Sequence, residues 1–502
     1  MARRILLAAG ALFLLLAAVG IGALVAGGEE NEQESVLIPF SEPPRITPNG
    51  QVVNLTAAET KFIAGGRYVS GRGYNGQFVG PTLVLKPEET LKLHLRNDLR
   101  EMTNLHYHGF HVSPKAPSDQ VIEIMVQPHE TYDYQVAIPA DHDQGTFWYH
   151  SHNHHTSEGQ VFGGMSGAAL IGTPPVPPPV QLANDRLIAL KDFYTNSKGE
   201  IPLKQCEGSE AAPECIDSDY KGTTRTVNGL VNPLITAAPG QIELWRLANI
   251  GADIFYDVQL ENTPFWVLTE DGNAENELWP AKHLVLPPGK RYDVLVQFGG
   301  PRTYKLKTLE YNTGPDGDEY PEATLATVNV NGPREKTPSL AELTDRSPVA
   351  LPQPTGPPKV KRLTEEPKTN TFMINKKVFE PGRIDDYVPL GAVEDWVFIN
   401  ETKEQHPIHL HQDDFWVIER AGRPVTPKGQ QDTVIVYPGE EVKIRIQFTD
   451  FTGKFVYHCH ILAHEDRGMM AVVDVYPPGG KRGGASSRHS GHQAHQPHHH
   501  VG

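Results

Sequence analysis

The chain has 502 residues, enough for about three domains, and 38% of them are hydrophobic against 21% charged. This balance excludes an intrinsically disordered chain, and the net charge of -16 argues against nucleic acid as a partner, because phosphates require a basic surface. The 46 glycines and 43 prolines are typical of turn-rich all-β domains.

The first 28 residues have the pattern of an export segment. Arg3 and Arg4 form a positive start, and residues 5–28 carry no charge. Cleavage near Ala26 would make it a signal peptide, but the apolar stretch is also long enough to remain as a membrane anchor. We predict an exported protein, periplasmic or extracellular, with membrane anchoring by residues 5–28 as the alternative.

Three segments, one in each third of the chain, share a pattern: residues 87–97, 239–249 and 391–400. Each is a turn followed by an alternating strand that ends in Asn, and alternation at period two predicts half-buried β-strands. Proline-rich stretches separate the thirds. We therefore predict three related Greek-key β-sandwich domains, which span residues 45–175, 181–335 and 360–478.

The histidines fall at matching places in the first and last thirds. Nine residues after the terminal Asn of the repeat come His106 in the first third and His409 in the last, whereas the middle third has Val258. A second repeated element, at 145–152 and 453–460, also carries histidines only in the outer thirds. We expect a metal site shared by the two outer domains, with the middle domain as spacer or clamp.

Four His-x-His pairs make up this pattern. On a strand, residues i and i+2 face the same side, so each pair presents two imidazoles in one direction. Eight imidazoles are enough for three metal ions with positions open for oxygen, although imidazole alone suits copper, zinc, iron and nickel. The pairs are His106 with His108, His150 with His152, His409 with His411, and His458 with His460.

Cysteine usage favours copper. Cys459 lies inside the last His-x-His pair and is followed by His464 and Met469, while His406 can supply a second imidazole from a neighbouring strand. A thiolate with two imidazoles and a weak thioether is the electron-transfer copper arrangement. The other two cysteines, Cys206 and Cys215, can close a small loop by a disulfide in an oxidising compartment.

On these motifs, which lie within residues 45–478, the chain resembles three-domain multicopper oxidases of the bacterial laccase type. The resemblance implies cupredoxin-like domains and four copper ions per chain. It implies a type 1 copper bound by His406, Cys459, His464 and Met469. It also implies a three-copper cluster with His106 and His409 as type 2 ligands and, for the type 3 pair, His108, His150, His152, His411, His458 and His460.

Two carboxylates are candidates for the proton supply that the resemblance implies. Glu465 directly follows His464, where the family has its proton-relay glutamate. Asp119, eleven residues after His108, is the second candidate, and its alternative is a plain turn residue in APSDQ.

The implied function is a laccase-like oxidase that takes electrons from phenols or aromatic amines and reduces O2 to water. A metallo-oxidase acting on Cu(I), Fe(II) or Mn(II) is the alternative, although seven scattered methionines offer little to Cu(I), which prefers thioethers. A non-catalytic copper-binding or electron-transfer protein is the alternative of another class. We expect a monomer with a disordered His-rich tail at residues 479–502.

Overall fold

The computed structural model describes residues 37–206, 214–217, 222–343 and 348–480. The predicted export segment and the His-rich tail from Lys481 onward lie outside these residues. Strands make up 48% of the structure and helices only 3%, which confirms the predicted all-β, cupredoxin-like fold class. No helix in the described part is long and apolar enough to cross a membrane.

The first third forms a five-stranded sheet in the order β1-β4-β9-β8-β6 and a four-stranded sheet in the order β3-β2-β5-β7. Its elements are β1 (Arg45–Ile46), β2 (Val52–Ala64), β3 (Arg67–Tyr74), β4 (Gly80–Leu85), β5 (Thr90–Asn97), β6 (His106–His108), β7 (Thr131–Ala137), β8 (Gly145–His150), α1 (Ser157–Gly163) and β9 (Ser166–Ile171).

The middle third forms a six-stranded sheet, β11-β10-β13-β18-β15-β16, a five-stranded sheet, β12-β22-β19-β14-β17, and a small β20-β21 pair. Its elements are β10 (Asp185–Phe193), β11 (Thr224–Val227), β12 (Leu234–Ala237), β13 (Ile242–Asn249), β14 (Tyr256–Leu260), β15 (Phe265–Glu270), β16 (Asn273–Ala281), β17 (Leu284–Leu286), β18 (Arg291–Gln297), β19 (Arg302–Leu309), β20 (Tyr311–Asn312), β21 (Glu319–Tyr320), β22 (Ala323–Val330) and a 3-10 turn (Leu340–Glu342).

The last third repeats the arrangement with sheets β24-β23-β26-β31-β28-β29 and β25-β33-β32-β27-β30. Its elements are β23 (Lys359–Glu366), β24 (Thr371–Ile374), β25 (Asp386–Pro389), β26 (Val393–Asn400), β27 (His406–Leu410), β28 (Phe415–Arg420), β29 (Arg423–Pro424), β30 (Thr433–Val436), β31 (Glu441–Gln447), β32 (Gly453–Cys459), α2 (Leu462–Asp466) and β33 (Met470–Tyr476).

The terminal asparagine of the repeat makes the same hydrogen bonds in all three thirds. Asn97, Asn249 and Asn400 are buried at the ends of β5, β13 and β26. Each side-chain amide donates to two main-chain carbonyls, and each Oδ1 accepts the main-chain N–H two residues further on. A buried amide satisfied in this way fixes the loop that leads to the next strand.

The repeat strand of the middle third departs from the predicted half-burial. Along β5 buried and exposed residues alternate, whereas all eight residues of β13 are buried. Ile242 and Leu244 on its outer face are covered by apolar residues of the segments at 176–182 and 340–343. The proline-rich connection thus acts as a strap over this sheet, which accounts for the extra burial.

The histidine-bearing strands are neighbours within each outer sheet. β6 pairs with β8 so that His106 lies opposite His150, and β27 pairs with β32 so that His409 lies opposite His458. In the middle third Val258 occupies the corresponding strand, β14, beside β19. Pairing in register directs the side chains of facing positions to the same side of a sheet, so each outer sheet presents its histidines together.

The middle third contains a disulfide. Cys206 and Cys215 form a disulfide, which settles the pairing that the sequence left open, and Cys459 is the free cysteine of the described residues.

Candidate metal centre

Cys459 ends β32, and its thiol faces two imidazoles. Its Sγ lies 3.6 Å from Nδ1 of His406, the first residue of β27, and 3.6 Å from Nδ1 of His464 in α2. The two nitrogens are 3.3 Å apart. Three donor atoms therefore form a compact triangle of the size that one metal ion requires. We call these three residues the thiol triad.

Neighbouring residues hold the rings of the triad with Nδ1 facing the thiol. Thr402 Oγ1 lies 2.8 Å from Nε2 of His406, and a carboxylate oxygen of Glu404 lies 3.4 Å from Nε2 of His464. The ring of Phe372 stacks on His464 at a centroid distance of 3.9 Å. Rings fixed from behind present their remaining nitrogen in one direction, as ligands in metal sites do.

Met469 is fully buried beside the triad. Its N–H donates to the carbonyl of His464 at 2.9 Å, and its carbonyl accepts the N–H of Cys459 at 3.0 Å. Burial raises the pKa of the Cys459 thiol well above its usual range. A thiolate at this place requires a nearby cation, and thiolate with imidazole is a donor set that copper accepts.

The eight histidines of the four His-x-His pairs form one buried group, each with at most 1% of its surface exposed. Two ring stacks join the first third to the last. His106 stacks on His411 at a centroid distance of 3.8 Å, and His108 stacks on His409 at 3.7 Å. We call these eight residues the histidine cluster.

Ring nitrogens meet at two points inside the histidine cluster. Nε2 of His458 lies 3.1 Å from Nε2 of His411 and 3.2 Å from Nε2 of His152. Nε2 of His460 lies 3.2 Å from Nδ1 of His108. Lone pairs brought this close repel one another, so the arrangement is stable only with cations or protons between them.

The orientation of the rings decides which nitrogens can bind a metal. Nδ1 of His106 lies 3.0 Å from the carboxyl group of Asp119. Nδ1 of His150 donates to the carbonyl of Ser151, so Nε2 of His150 carries the lone pair. Burial lowers the pKa of His150 to about 3, which keeps the ring neutral. Several buried ring nitrogens have no hydrogen-bond partner among the described residues: Nε2 of His106, His150 and His409, and Nδ1 of His411 and His460. These residues fit copper ions.

Glu465 contacts two residues of the histidine cluster. Its oxygens are 3.1 Å from Nδ1 of His458 and 3.5 Å from Nδ1 of His152, and it accepts a hydrogen bond from Ser157 at 3.0 Å. Burial raises the pKa of this carboxyl well above its usual range. A neutral carboxyl beside the cluster can hold a proton there.

Asp119 contacts a different part of the histidine cluster, at His106, and is 2% exposed. Its carboxylate is 3.0 Å from Nδ1 of His106 and accepts the N–H of Tyr107 at 3.1 Å and the amide of Gln412 at 3.0 Å. Burial raises its pKa to about 8.

Sequence reasoning missed two residues that contact the histidine cluster. Trp148 stacks on His150 at a centroid distance of 4.2 Å. Asp432, just before β30, lies with a carboxylate oxygen 3.3 Å from Nε2 of His108 and with its carbonyl 3.0 Å from Nδ1 of His409. Asp432 belongs to a loop between repeat elements, where no motif marks a single aspartate.

Three stretches of the chain match family models described as multicopper oxidase: residues 56–175, 184–332 and 352–479. The first and third contain all twelve predicted ligands. The chain belongs to the multicopper oxidase family. As a member of it, the protein is a copper-dependent oxidoreductase that uses dioxygen as acceptor.

The relatives of this multicopper oxidase include proteins named multicopper oxidase and proteins named laccase. A multicopper oxidase of Staphylococcus haemolyticus is 28% identical over 414 residues, which cover 80% of this chain and 83% of that protein. A laccase of Bacillus subtilis is 25% identical over 469 residues, which cover 80% of this chain and 90% of that protein. A solved multicopper oxidase from Campylobacter jejuni, described as a metallo-oxidase, has a TM-score of 0.73 at 24% identity and covers 88% of this chain and 98% of its own; this likeness shows the fold.

Proposed function

We propose that this multicopper oxidase is laccase-like and takes single electrons from phenols or aromatic amines. In this proposal the type 1 copper is bound by the thiol triad and Met469. The histidine cluster binds three further copper ions, with His106 and His409 as type 2 ligands and the other six histidines as type 3 ligands. Four copper ions per chain follow from this assignment.

The position of Cys459 carries the proposal. Its thiol faces His406 and His464, while the adjacent residues His458 and His460 have their rings in the histidine cluster. Successive side chains on a strand point to opposite faces. A single peptide bond therefore joins Cys459 to each of the two flanking histidines, which gives electrons a short bonded path.

Donor access is favoured at His464. Of the twelve proposed ligands it is the most exposed, at 6%, whereas the others are at 0% or 1%. The carboxylate of Glu404 near its Nε2 can accept a hydrogen bond from a phenol or an aromatic amine. An electron donor that touches the edge of this ring is therefore within reach of the thiol triad.

When bound, copper accepts the single electrons and reduces dioxygen to water. The chain supplies the rest: Glu465 holds a proton 3.1 Å from His458, and Asp119 holds one 3.0 Å from His106. Full burial of the histidine cluster excludes bulk water, and two buried carboxyls in contact with different histidines can deliver protons singly.

The test is steady-state oxygen uptake by copper-loaded protein with a phenol, a bulky non-phenolic donor, Cu(I) and Fe(II). The proposal predicts the highest kcat/KM with the organic donors. Preference for Cu(I) or Fe(II) would assign a metallo-oxidase instead, and no oxygen uptake with any donor would leave a copper-binding protein without catalysis. Protein loaded with Zn(II) is the control, because zinc binds imidazole and thiolate but transfers no electrons.

Export is part of the proposal. The charged and apolar start of the sequence and the Cys206–Cys215 disulfide both favour an oxidising compartment outside the cytosol. Fractionation of cells that express the full chain, with the mass of the mature N-terminus, tests this and distinguishes a cleaved signal from a retained anchor.

A further inference from the structure

The turn that precedes β18 differs from its equivalents in the other two thirds. The sequence reads PHET at 128–131, PGKR at 288–291 and PGEE at 438–441. In the outer thirds the last residue of the turn, Thr131 or Glu441, is exposed at the start of its strand. In the middle third this position is Arg291, which is fully buried. A buried arginine at a repeat position that is otherwise exposed calls for a specific partner.

All three nitrogens of the Arg291 guanidinium are hydrogen-bonded. Nε donates to the carbonyl of Thr146 in the first third at 3.2 Å, and Nη2 donates to the carbonyl of Asp271 at 2.7 Å. Nη1 donates to both carboxylate oxygens of Asp432 in the last third, at 2.8 and 3.0 Å. Arg291 therefore connects all three thirds of the chain at one point.

Asp432, the partner of Arg291, also contacts two residues of the histidine cluster. Its carboxylate lies 3.3 Å from Nε2 of His108, and its carbonyl accepts the Nδ1–H of His409 at 3.0 Å. His108 comes from the first third and His409 from the last, and their rings are stacked. One aspartate thus contacts one ligand from each of the two outer thirds.

The same turn closes against the cluster through Gly289. Its φ is +88°, and a Cβ at this position would lie 3.0 Å from carbon atoms of both His108 and His460. A side chain here would push into the two rings, so only glycine permits this approach. The middle third, which provides no ligands, therefore forms one wall of the histidine cluster.

We infer that Arg291 is a positioning residue for the three-copper cluster, acting from the middle third through Asp432 on His409 and His108. The inference rests on the proposed ligand roles of these two histidines. With Arg291 in place, Asp432 is held by two charge-assisted hydrogen bonds and keeps both rings at fixed angles. Without Arg291, the buried carboxylate of Asp432 loses its one arginine or lysine partner among the described residues. It then moves or takes up water.

Three variants of the full chain, loaded with copper, test the inference. Arg291→Gln removes the charge, and Asp432→Asn keeps the shape of Asp432 while weakening the pair. Arg246→Gln is the matched control, because Arg246 is equally buried on the neighbouring strand β13 and is paired with Asp185 at 2.7 Å. The measurements are copper per chain, the type 2 signal in electron paramagnetic resonance, the blue type 1 absorbance, and the melting temperature.

We expect Arg291→Gln and Asp432→Asn to lose at least half of the type 2 signal and about tenfold in kcat, with type 1 absorbance per chain unchanged. Arg246→Gln should lower the melting temperature but keep its full type 2 signal. Wild-type copper content and signals in both Arg291→Gln and Asp432→Asn would overturn the inference, and so would an equal loss of type 2 copper in Arg246→Gln. Should Arg291→Gln not fold, Asp432→Asn decides by the same criteria.

The wild-type protein separates this inference from the proposed function. A wild-type chain without type 2 copper would contradict the ligand assignment and, with it, the role of Arg291. A wild-type chain with four copper ions and unaffected variants would contradict Arg291 alone.

Discussion

The thiol triad and the histidine cluster are built in different ways, although Cys459 of the triad lies between His458 and His460 of the cluster in the sequence. All residues of the triad come from one β-sandwich, and one of them, His464, is the least buried of the proposed ligands, at 6% exposure. The histidine cluster takes two strands from each outer sandwich and is closed by a turn of the middle one.

The two sites differ because electron entry and dioxygen reduction need different surroundings. A site that receives single electrons from outside needs an exposed edge and little else, so one domain can form it. A site that reduces dioxygen must exclude bulk water and admit protons singly, and the interface between domains provides that burial. If the two regions are separate in this way, a substitution in one should leave the other intact.

The largest effect is expected for Cys459→Ser. Loss of the thiolate should abolish the blue absorbance near about 600 nm and lower kcat by at least about a thousandfold. The histidine cluster should still bind copper, because its rings are held by other contacts. Measured copper per chain and type 2 resonance check this, and loss of all copper would show that the two regions do not assemble independently.

Glu465→Gln should disturb only the histidine cluster. The side chain keeps its size but can no longer release a proton, so kcat should fall about a hundredfold. Anaerobic reduction of the blue copper by donor should keep its wild-type rate, while reoxidation by oxygen slows. Asp395→Asn is the control, since Asp395 is buried in the same third and paired with Arg445 at 2.7 Å; it should affect stability alone.

Asp119→Asn should have a smaller effect with a distinct pH dependence. Burial raises the pKa of Asp119 to about 8, so the carboxyl holds its proton below that pH and loses it above. Wild-type kcat should therefore fall as pH rises through about 8, and the variant should be roughly tenfold slower at pH 6 without that fall. Unchanged turnover with an unchanged pH profile would remove Asp119 from the proton supply.

The smallest effect on activity is expected for Asp192→Asn, a change in the middle third that removes no hydrogen bond to a proposed ligand. Both oxygens of Asp192 are buried without a hydrogen-bond partner among the described residues, and burial raises its pKa to about 7. The folded state therefore keeps this proton longer than the unfolded chain. Its contribution to stability is full below about pH 4 and is lost as pH rises to about 7, by about 4 kcal/mol at most.

Denaturant melts at low and near-neutral pH check the Asp192 prediction. As pH rises from the low to the near-neutral condition, the free energy of unfolding should fall more for the wild-type than for Asp192→Asn. The kcat of the two proteins should be the same. Burial lowers the pKa of Lys191 to about 7, so measuring below pH 7 keeps this neighbour charged and out of the comparison. Equal pH dependence in the two proteins would contradict the assigned titration.

Much of the candidate site could be predicted from the sequence because its proposed ligands sit at short, fixed spacings on strands. His458, Cys459 and His460 are consecutive, and the repeated Asn fixes where His106 and His409 occur. The fold class follows for the same reason, since alternation and turns are local signals.

Other parts of the site depend on contacts between distant segments, which spacing does not reveal. Arg291 and Asp432 are 141 residues apart in the chain and meet only after the thirds have packed together. The sequence shows the arginine in the PGKR turn, but it does not show that this arginine pairs with Asp432. The burial of both faces of β13 likewise depends on a strap that is remote in sequence.

If the proposed function is right, one chain couples single-electron donation at the thiol triad to complete reduction of dioxygen in the histidine cluster. The ratio of donor oxidised to oxygen consumed by copper-loaded protein, with hydrogen peroxide assayed in parallel, measures this coupling. We expect four equivalents of a one-electron donor per dioxygen and no peroxide. Two equivalents per dioxygen with stoichiometric peroxide, or donor oxidation without oxygen uptake, would contradict it.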